Sequence, residues 1–151
     1  MKKLLMLGGS QLQISAIKKA RELGHYVITC DYLEDNPGHQ FSHEYHNVSI
    51  TDKDAVLELA KKLKVDGIVC YVADSGAETV AYVAEKLGLP SYSTKSIDIL
   101  TNKDKFRLFQ QENGFNIPRA KGYSTYEEAK DDFHNFKMPV MIKPVDSSGS
   151  K

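Results

Sequence analysis

The strongest constraint on the fold is an alternation of short apolar runs with helix-like stretches through residues 1–90. The apolar runs read KLLML, YVITCD, NVSI and DGIVCYV. Between them, apolar residues recur every three or four positions, as they do on the buried side of a helix. The alternation predicts an α/β fold, in which a half-Rossmann parallel sheet over residues 1–90 carries helices on both faces. Right-handed crossovers predict the strand order 3-2-1-4.

The pattern changes after Pro90. Two stretches, STKSIDIL and KDKFRLFQQENG, predict a helical linker over residues 91–113. Beyond it, IPRAKGYS is typical of an extended segment, a capping box at Ser124 or Thr125 predicts a short helix, and VMIK is typical of a strand. Residues 114–151 are therefore predicted to begin a second domain in the order β-α-β, without its remaining strands.

Composition argues against several classes of function. The 20 basic and 20 acidic residues give a net charge of zero, so neither a nucleic-acid surface nor a polybasic membrane patch is predicted. The N-terminal apolar run ends at a glycine turn and is too short for a signal peptide or a membrane span, which favours the cytoplasm. Cys30 and Cys70 each follow apolar residues and are interpreted as small core residues rather than a redox pair.

The loop GGSQLQ follows the first strand, where the N-terminus of a helix can hold an anion. The dinucleotide pattern GxGxxG needs glycine at two positions that are Ser10 and Gln13 in this chain. Asp31 nevertheless ends the second strand, where an acid can bind a ribose. A nucleotide-binding enzyme of the Rossmann type, using NAD or a sugar nucleotide, is therefore an alternative.

A second polar loop, ADSGAET, follows the fourth apolar run. Asp74 and Ser75 lie at the carboxyl end of the predicted strand, the edge at which parallel sheets bind ligands. Substrate contact is predicted there. The alternative is a helix N-cap, in which Asp74 or Ser75 forms a capping box with Glu78, and both roles can hold together.

Three histidines, His39, His43 and His46, cluster in the polar segment EDNPGHQFSHEYH. The Pro37-Gly38 pair indicates a loop, where histidines are usually solvated, so a zinc site is the weaker interpretation. A non-catalytic interaction module that uses this segment is a further alternative. It predicts a protein partner and no affinity for nucleotides.

Three segments, in this order, resemble the N-terminal part of an ATP-grasp ligase of the carboxylate–amine or carbamoyl-phosphate-synthase-like kind. LGGSQLQ opens the half-Rossmann domain, LTNKDKFRLFQQENGFNIP follows EKLGLP, and PVMIKPVDSSGSK follows a short capped helix. Members of that superfamily are similar in having a lysine segment before G-x-x-x-P and an (I/V)-x-K-P strand before a glycine-rich loop. The resemblance covers the whole chain. It makes residues 1–90 the pre-ATP-grasp domain and residues 114–151 the truncated start of an α+β ATP-grasp subdomain.

The resemblance implies a ligase that activates a carboxylate as an acyl phosphate for attack by an amine or a similar nucleophile. ATP would lie between two α+β subdomains, with Lys103 and Lys143 on its phosphates and Lys105 as the second choice for the first lysine. The rest of the implied phosphate site is the glycine-rich loop, with Ser148, Gly149, Ser150 and Lys151. The implied substrate site comprises Gly8, Gly9, Ser10, Asp74 and Ser75.

The adenine pocket, the acidic Mg²⁺ ligands and the transition-state arginine come later in family members and have no counterpart here. The chain is therefore expected to be a fragment, inactive by itself, of an enzyme that uses ATP and Mg²⁺. No catalytic residue and no metal ligand is assigned within it. The expected partners are small-molecule carboxylate and amine substrates, without nucleic acid or membrane. The identity of the substrates and the oligomeric state stay open, with a homodimer among the possibilities.

Overall fold

The computed structural model describes residues 1–147. The chain divides into two compact units, Met1–Ile97 and a second that begins at Asp98. The first unit is built on four strands, which are β1 (Lys3–Leu7), β2 (Tyr26–Asp31), β3 (Glu44–Asn47) and β4 (Gly67–Cys70). Their order is β3-β2-β1-β4 and every neighbouring pair is parallel. The predicted α/β class and the strand order 3-2-1-4 are thereby confirmed.

Three helices join or follow these strands. They are α1 (Ile14–Glu22), α2 (Lys53–Leu63) and α3 (Ala77–Leu87). A short 3-10 turn, Gln11–Gln13, precedes α1, and the side chain of Ser10 caps it. Asp52 caps α2 by accepting a hydrogen bond of 3.0 Å from the amide of Ala55, which satisfies one of the amides left unpaired at a helix start.

The core lies on both faces of the sheet. Alternate residues of a strand point to opposite faces, so Leu5 and Leu7 enter one cluster while Met6 enters another. Residues of α2 and α3 cover the first face, and Ile17 of α1 packs against Met6 on the second. Covering both faces explains why the two central strands are apolar almost throughout.

Two strands differ from their predicted positions. The third strand is EYHN at Glu44–Asn47 rather than NVSI, because β3 is an edge strand whose polar side chains give no hydrophobic signal. The fourth strand ends at Cys70, two residues earlier than predicted, because the chain then leaves the extended conformation at Val72, where φ is 51°.

The second unit begins within α4 (Thr94–Thr101) and continues with α5 (Lys103–Glu112) and α6 (Tyr126–Asp132). Thr125 and Glu128 form the capping box of α6, which confirms one of the two predicted caps. The predicted strand VMIK is wrong, since none of residues 98–147 is in a strand. Met141 and Ile142 are 80% and 84% exposed, so this segment has none of the neighbouring backbone that a strand needs.

No helix within residues 1–147 has both the length and the apolar character needed to cross a membrane.

Candidate functional site

In the sheet of the first unit, the order in which successive strands are added reverses between β1 and β4, which makes this a topological switch point. β2 and β3 extend the sheet on one side of β1, and β4 pairs on the other side, with Leu7 opposite Cys70. Open parallel sheets bind ligands beyond the carboxyl ends of the strands at such a switch point. The two loops that leave this edge carry the predicted substrate residues, which are Gly8, Gly9, Ser10, Asp74 and Ser75. We call these two loops the substrate edge.

The backbone amides of the first loop are already engaged within the protein. The amide of Gly8 donates to the carbonyl of Cys30 at 2.8 Å, and the amide of Gly9 donates to the carboxylate of Asp31 at 3.2 Å. The amide of Ser10 donates to the side-chain oxygen of Gln13 at 2.8 Å. An anion at this loop could therefore not use the amides of Gly8, Gly9 and Ser10 without displacing these acceptors.

Two glycines fit this loop for steric reasons. Gly8 has φ of 96°, a conformation that side chains rarely adopt. A Cβ atom on Gly9 would lie 2.0 Å from the imidazole ring of His39. Both positions are therefore explained by the packing of the loop, independently of any ligand.

Asp74 and Ser75 lie in a 3-10 turn, Asp74–Gly76, between β4 and α3. No side chain caps this turn or α3, and Glu78 pairs with Lys53 at 2.8 Å instead. The capping-box alternative is therefore wrong. Both residues are exposed, and within residues 1–147 no hydrogen bond or ion pair engages either side chain.

The side chain of Cys70 contacts the backbone of this turn. Its thiol donates a hydrogen bond of 2.9 Å to the carbonyl of Ala73, and a Cβ atom on Gly76 would lie 2.6 Å from its sulfur. Burial raises the pKa of the Cys70 thiol to about 11, which keeps it protonated and able to donate. Cys30 is fully buried in the core, where burial raises its pKa to about 12. Both thiols are free, as the interpretation of small core residues predicts.

The second unit carries the predicted phosphate lysine at the start of α5. The ammonium of Lys103 donates to the carbonyl of Ser147 at 2.6 Å and to that of Val145 at 3.3 Å. The ammonium of Lys105 is paired with the carboxylate of Asp98 at 2.7 Å. Lys103 therefore contacts Val145 and Ser147, at the start of the predicted glycine-rich loop, and Lys105 is paired with Asp98.

Lys143, the other predicted phosphate lysine, is exposed. The remaining members of the predicted loop, Ser148, Gly149, Ser150 and Lys151, lie outside the described residues.

No protein-family model matches the chain. A formate-dependent phosphoribosylglycinamide formyltransferase from Wolinella succinogenes is 29% identical over 147 residues, which are 97% of this chain and 38% of the relative. The crystal structure of a phosphoribosylglycinamide synthetase from Anaerococcus prevotii is similar with a TM-score of 0.78 and 26% identity, covering 96% of this chain and 37% of the other. An N5-carboxyaminoimidazole synthetase from Staphylococcus aureus, complexed with ADP, has a TM-score of 0.70 at 21% identity, over 87% of this chain and 35% of that chain.

The chain matches the N-terminal region of ATP-grasp ligases. The resemblance inferred from LGGSQLQ, KDKFRLFQQENGFNIP and PVMIKPVDSSGSK is confirmed by these relatives, and so is the pre-ATP-grasp fold of the sheet. The chain spans just over a third of the length of the relatives it matches.

In this pre-ATP-grasp fold, Asp31 has a structural role. Its carboxylate is 7% exposed and accepts hydrogen bonds from the amide of Gly9, the amide of Leu33 and the side chain of Asn36, at 2.9 to 3.2 Å. An acid whose oxygens are held by three internal donors is not directed at a ribose. The dinucleotide alternative therefore loses the residue on which it depended.

The three clustered histidines have separate partners. The Nδ1 atom of His39 lies 2.9 Å from the hydroxyl of Thr29, and that of His43 accepts from the amide of Val27 at 3.0 Å. His46 lies 2.7 Å from the carboxylate of Glu44. Across residues 1–147, no group of three or more histidine, cysteine, aspartate or glutamate side chains is arranged to hold a metal ion. The described residues therefore fit neither a zinc site nor a Mg²⁺ site.

Two polar centres were missed by sequence reasoning. One is Asp132 at the end of α6, which accepts hydrogen bonds from Tyr123, Lys121 and Asn135. The other is Gln13, which is 3% exposed and contacts both loops of the substrate edge. The sequence feature that could have indicated this role of Gln13 is a long polar side chain at a position where the dinucleotide pattern has glycine.

Proposed function

We propose that this chain is the substrate-side, N-terminal part of an ATP-dependent ligase that activates a carboxylate as an acyl phosphate. An amine or a similar nucleophile then completes the reaction. The observation that carries the proposal is the match of 97% of the chain to an N-terminal region of ATP-grasp ligases. The geometry of the substrate edge and of Lys103 supports it.

The chemistry requires a charged environment for phosphoryl transfer. A carboxylate oxygen of the substrate attacks the γ-phosphorus of ATP, and the bond between that phosphorus and the β–γ bridging oxygen breaks, which gives an acyl phosphate and ADP. The amine nitrogen then bonds to the acyl carbon, inorganic phosphate leaves, and the nitrogen loses a proton. Ammonium groups placed on the phosphates stabilise the charge of the transferred group.

Lys103 fits the first of these ammonium groups. It is half-buried and donates to two backbone carbonyls at the entry to the proposed phosphate loop. A phosphate oxygen is a stronger acceptor for an ammonium than a carbonyl, so ATP phosphates can replace these contacts. Lys143 and the loop residues Ser148, Gly149, Ser150 and Lys151 are assigned to the phosphates by resemblance. The Mg²⁺ ligands are expected outside the described residues.

The substrate edge is the proposed site of the small-molecule substrate. Among the five predicted substrate residues, the amides of Gly8, Gly9 and Ser10 already have acceptors, whereas no hydrogen bond or ion pair within residues 1–147 engages the carboxylate of Asp74 or the hydroxyl of Ser75. A carboxylate attracts cations and hydrogen-bond donors and repels anions. We therefore assign to this edge an amine or hydroxyl group of the substrate rather than its carboxylate.

The surface of the second unit supports a place within a larger enzyme. Between Asp98 and Ser147 no apolar side chain is fully buried, while Met138, Met141 and Ile142 are 61%, 80% and 84% exposed. Soluble proteins rarely leave so many large apolar groups in water without a partner surface. Further strands of an ATP-grasp subdomain would cover them.

An oxygen-transfer experiment tests the proposal in the ligase that carries this chain. A candidate carboxylate labelled with ¹⁸O is supplied with ATP and candidate amines, and the released phosphate is examined by mass spectrometry. An acyl phosphate passes one carboxylate oxygen to phosphate, so labelled phosphate is expected only when the carboxylate, amine and ATP are all present. Unlabelled phosphate released at the rate of product formation would contradict an acyl phosphate.

A further inference from the structure

Gln13 is a buried polar residue among exposed neighbours. Its side chain is 3% exposed, whereas Leu12 beside it is 60% exposed. Its oxygen accepts from the amide of Ser10 at 2.8 Å and from the hydroxyl of Ser10 at 2.6 Å. Its nitrogen donates to the carbonyls of Tyr71 at 2.7 Å and Val72 at 3.2 Å. A glutamine amide has two donors and accepts two hydrogen bonds, so this one is fully used.

These four hydrogen bonds join the two loops of the substrate edge. Ser10 belongs to the loop after β1, and Tyr71 and Val72 open the loop after β4. Val72 has φ of 51°, which is uncommon for a β-branched residue and requires support from its surroundings. Asp74 follows two residues later, so the position of Val72 decides where the Asp74 carboxylate lies.

The simplest role for a buried glutamine is to satisfy polar groups of the core. Here the two hydrogen bonds that it donates, to the carbonyls of Tyr71 and Val72, are only partly buried. Partly exposed carbonyls can also bind water, so satisfying them does not by itself require a buried side chain. What the side chain adds is a fixed distance between the two loops.

We propose that Gln13 is a positioning residue of the substrate site, which holds the loop of Asp74 against the loop of Ser10 at the spacing that the substrate requires. The inference rests on the proposed function, because the loops that Gln13 joins are those assigned to the substrate. Gln13 also occupies the donors of Ser10, and so directs recognition at this edge towards Asp74 and Ser75.

Three substitutions separate the parts of this role. Gln13→Met keeps the length and packing of the side chain and removes all four hydrogen bonds. Gln13→Glu keeps the acceptor for Ser10 and replaces the donor to Tyr71 and Val72 by a carboxylate oxygen. Gln40→Met makes the same change at an exposed glutamine of another 3-10 turn, His39–Phe41, and serves as the control.

Amide resonances of the ¹⁵N-labelled 151-residue chain report whether the two loops are joined. We expect Gln13→Met to shift the amides of residues 71–75 well beyond their shifts in Gln40→Met, although these residues are about 60 positions away in sequence. Gln13→Glu should shift residues 71–75 but leave Ser10 less changed than Gln13→Met does. Unchanged resonances of residues 71–75 in both folded variants would overturn the proposal. If Gln13→Met fails to fold, Gln13→Glu alone decides.

Steady-state kinetics of the ligase that carries this chain then tests the link to the substrate. We expect Gln13→Met to raise KM for the substrate of the substrate edge about tenfold, the effect of losing roughly one good hydrogen bond, with KM for ATP unchanged. Asp74→Asn is assayed beside it. If Asp74→Asn raises that KM and Gln13→Met does not, the positioning role is wrong and the proposed function stands. If neither variant changes it, the assignment of the substrate to this edge is wrong as well.

Discussion

The ammonium nitrogen of Lys103 lies 2.6 Å from the carbonyl oxygen of Ser147. The backbone amide of Lys103 also donates to the carbonyl of Val145 at 3.1 Å, so both its main chain and its side chain contact this segment. Lys105, two residues later, is instead engaged with Asp98 through two contacts of 2.7 and 2.8 Å. Lys103, the first choice implied by the resemblance, and Lys105, the second choice, therefore have different contacts in the structure.

The first prediction compares these two lysines in the proposed ligase of which this chain would be a part. Lys103→Ala should raise the apparent KM for ATP about ten- to a hundredfold, because a charge-assisted hydrogen bond to phosphate contributes roughly 1.5–3 kcal/mol to binding. Lys105→Ala should change this constant much less, since it removes an exposed ion pair. Initial rates at varied ATP measure both. Equal effects of the two substitutions would contradict the assignment of Lys103.

The sheet was predictable because its central strands are buried on both faces. Runs such as KLLML and YVITCD carry a hydrophobic signal strong enough to fix their number and, with the crossover rule, their order. β3 was misplaced because its pairing with β2 is a backbone interaction, and its polar side chains leave no periodic pattern. VMIK failed for the opposite reason, since its strong apolar signal has no neighbouring strand within the described residues.

The candidate site was predictable in position but not in its hydrogen bonding. The rule that ligands bind at a switch point located the loops of Gly8 and Asp74 correctly at one edge of the sheet. No sequence pattern shows that Asp31 and Gln13 take up the amides of Gly9 and Ser10, because those contacts depend on tertiary structure. Whether substrate binds there stays a prediction.

The second prediction concerns Gly9 and His39. Gly9→Ala should destabilise the first unit by about 1–3 kcal/mol, because its Cβ atom would overlap the His39 ring. In a His39→Ala background the same change should cost much less, because the obstructing ring is gone. A double-mutant cycle of urea unfolding measures the coupling. If the losses in the free energy of unfolding caused by Gly9→Ala and His39→Ala are additive, the His39 ring is not the obstacle.

The third prediction concerns thiol reactivity. The thiolate is the reactive form, and burial raises the pKa of Cys30 to about 12 and that of Cys70 to about 11. At pH 8 only about 10⁻⁴ of Cys30 and about 10⁻³ of Cys70 would be thiolate. Alkylation of the native chain should therefore be slow, with Cys70 modified before Cys30, and fast in urea.

Two variants with one thiol each, Cys70→Ser and Cys30→Ala, assign the rates by mass spectrometry. Rapid modification of Cys30 in a natively folded chain would contradict its burial.

The last prediction concerns Asp132 and the pH dependence of the second unit. Hydrogen bonds from Tyr123, Lys121 and Asn135 lower the pKa of the Asp132 carboxyl well below its ordinary value. A lowered pKa in the folded state contributes stability above the ordinary aspartate pKa of about 3.9, and this contribution is lost as the pH falls through the lowered value.

Tyr123, which donates a hydrogen bond to Asp132, sets the high-pH limit of this contact. Partial burial and the hydrogen bond to Asp132 raise the pKa of Tyr123 to about 12. A raised pKa contributes stability that is complete below the ordinary tyrosine pKa of about 10 and is lost as the pH rises through about 12. The hydrogen bond between Tyr123 and Asp132 therefore contributes most to stability between the ordinary pKa of aspartate and the ordinary pKa of tyrosine.

Asp132→Asn should accordingly speed amide hydrogen exchange in α6 at neutral pH, and the difference from the natural chain should shrink in strong acid. Asp131→Asn, at the exposed preceding position of the same helix, is the matched control and should have little effect at either pH. A carbon-detected titration of the Asp132 carboxyl gives its pKa directly. An ordinary aspartate pKa there, or equal exchange in the two variants, would show that the three donors do not hold the carboxylate.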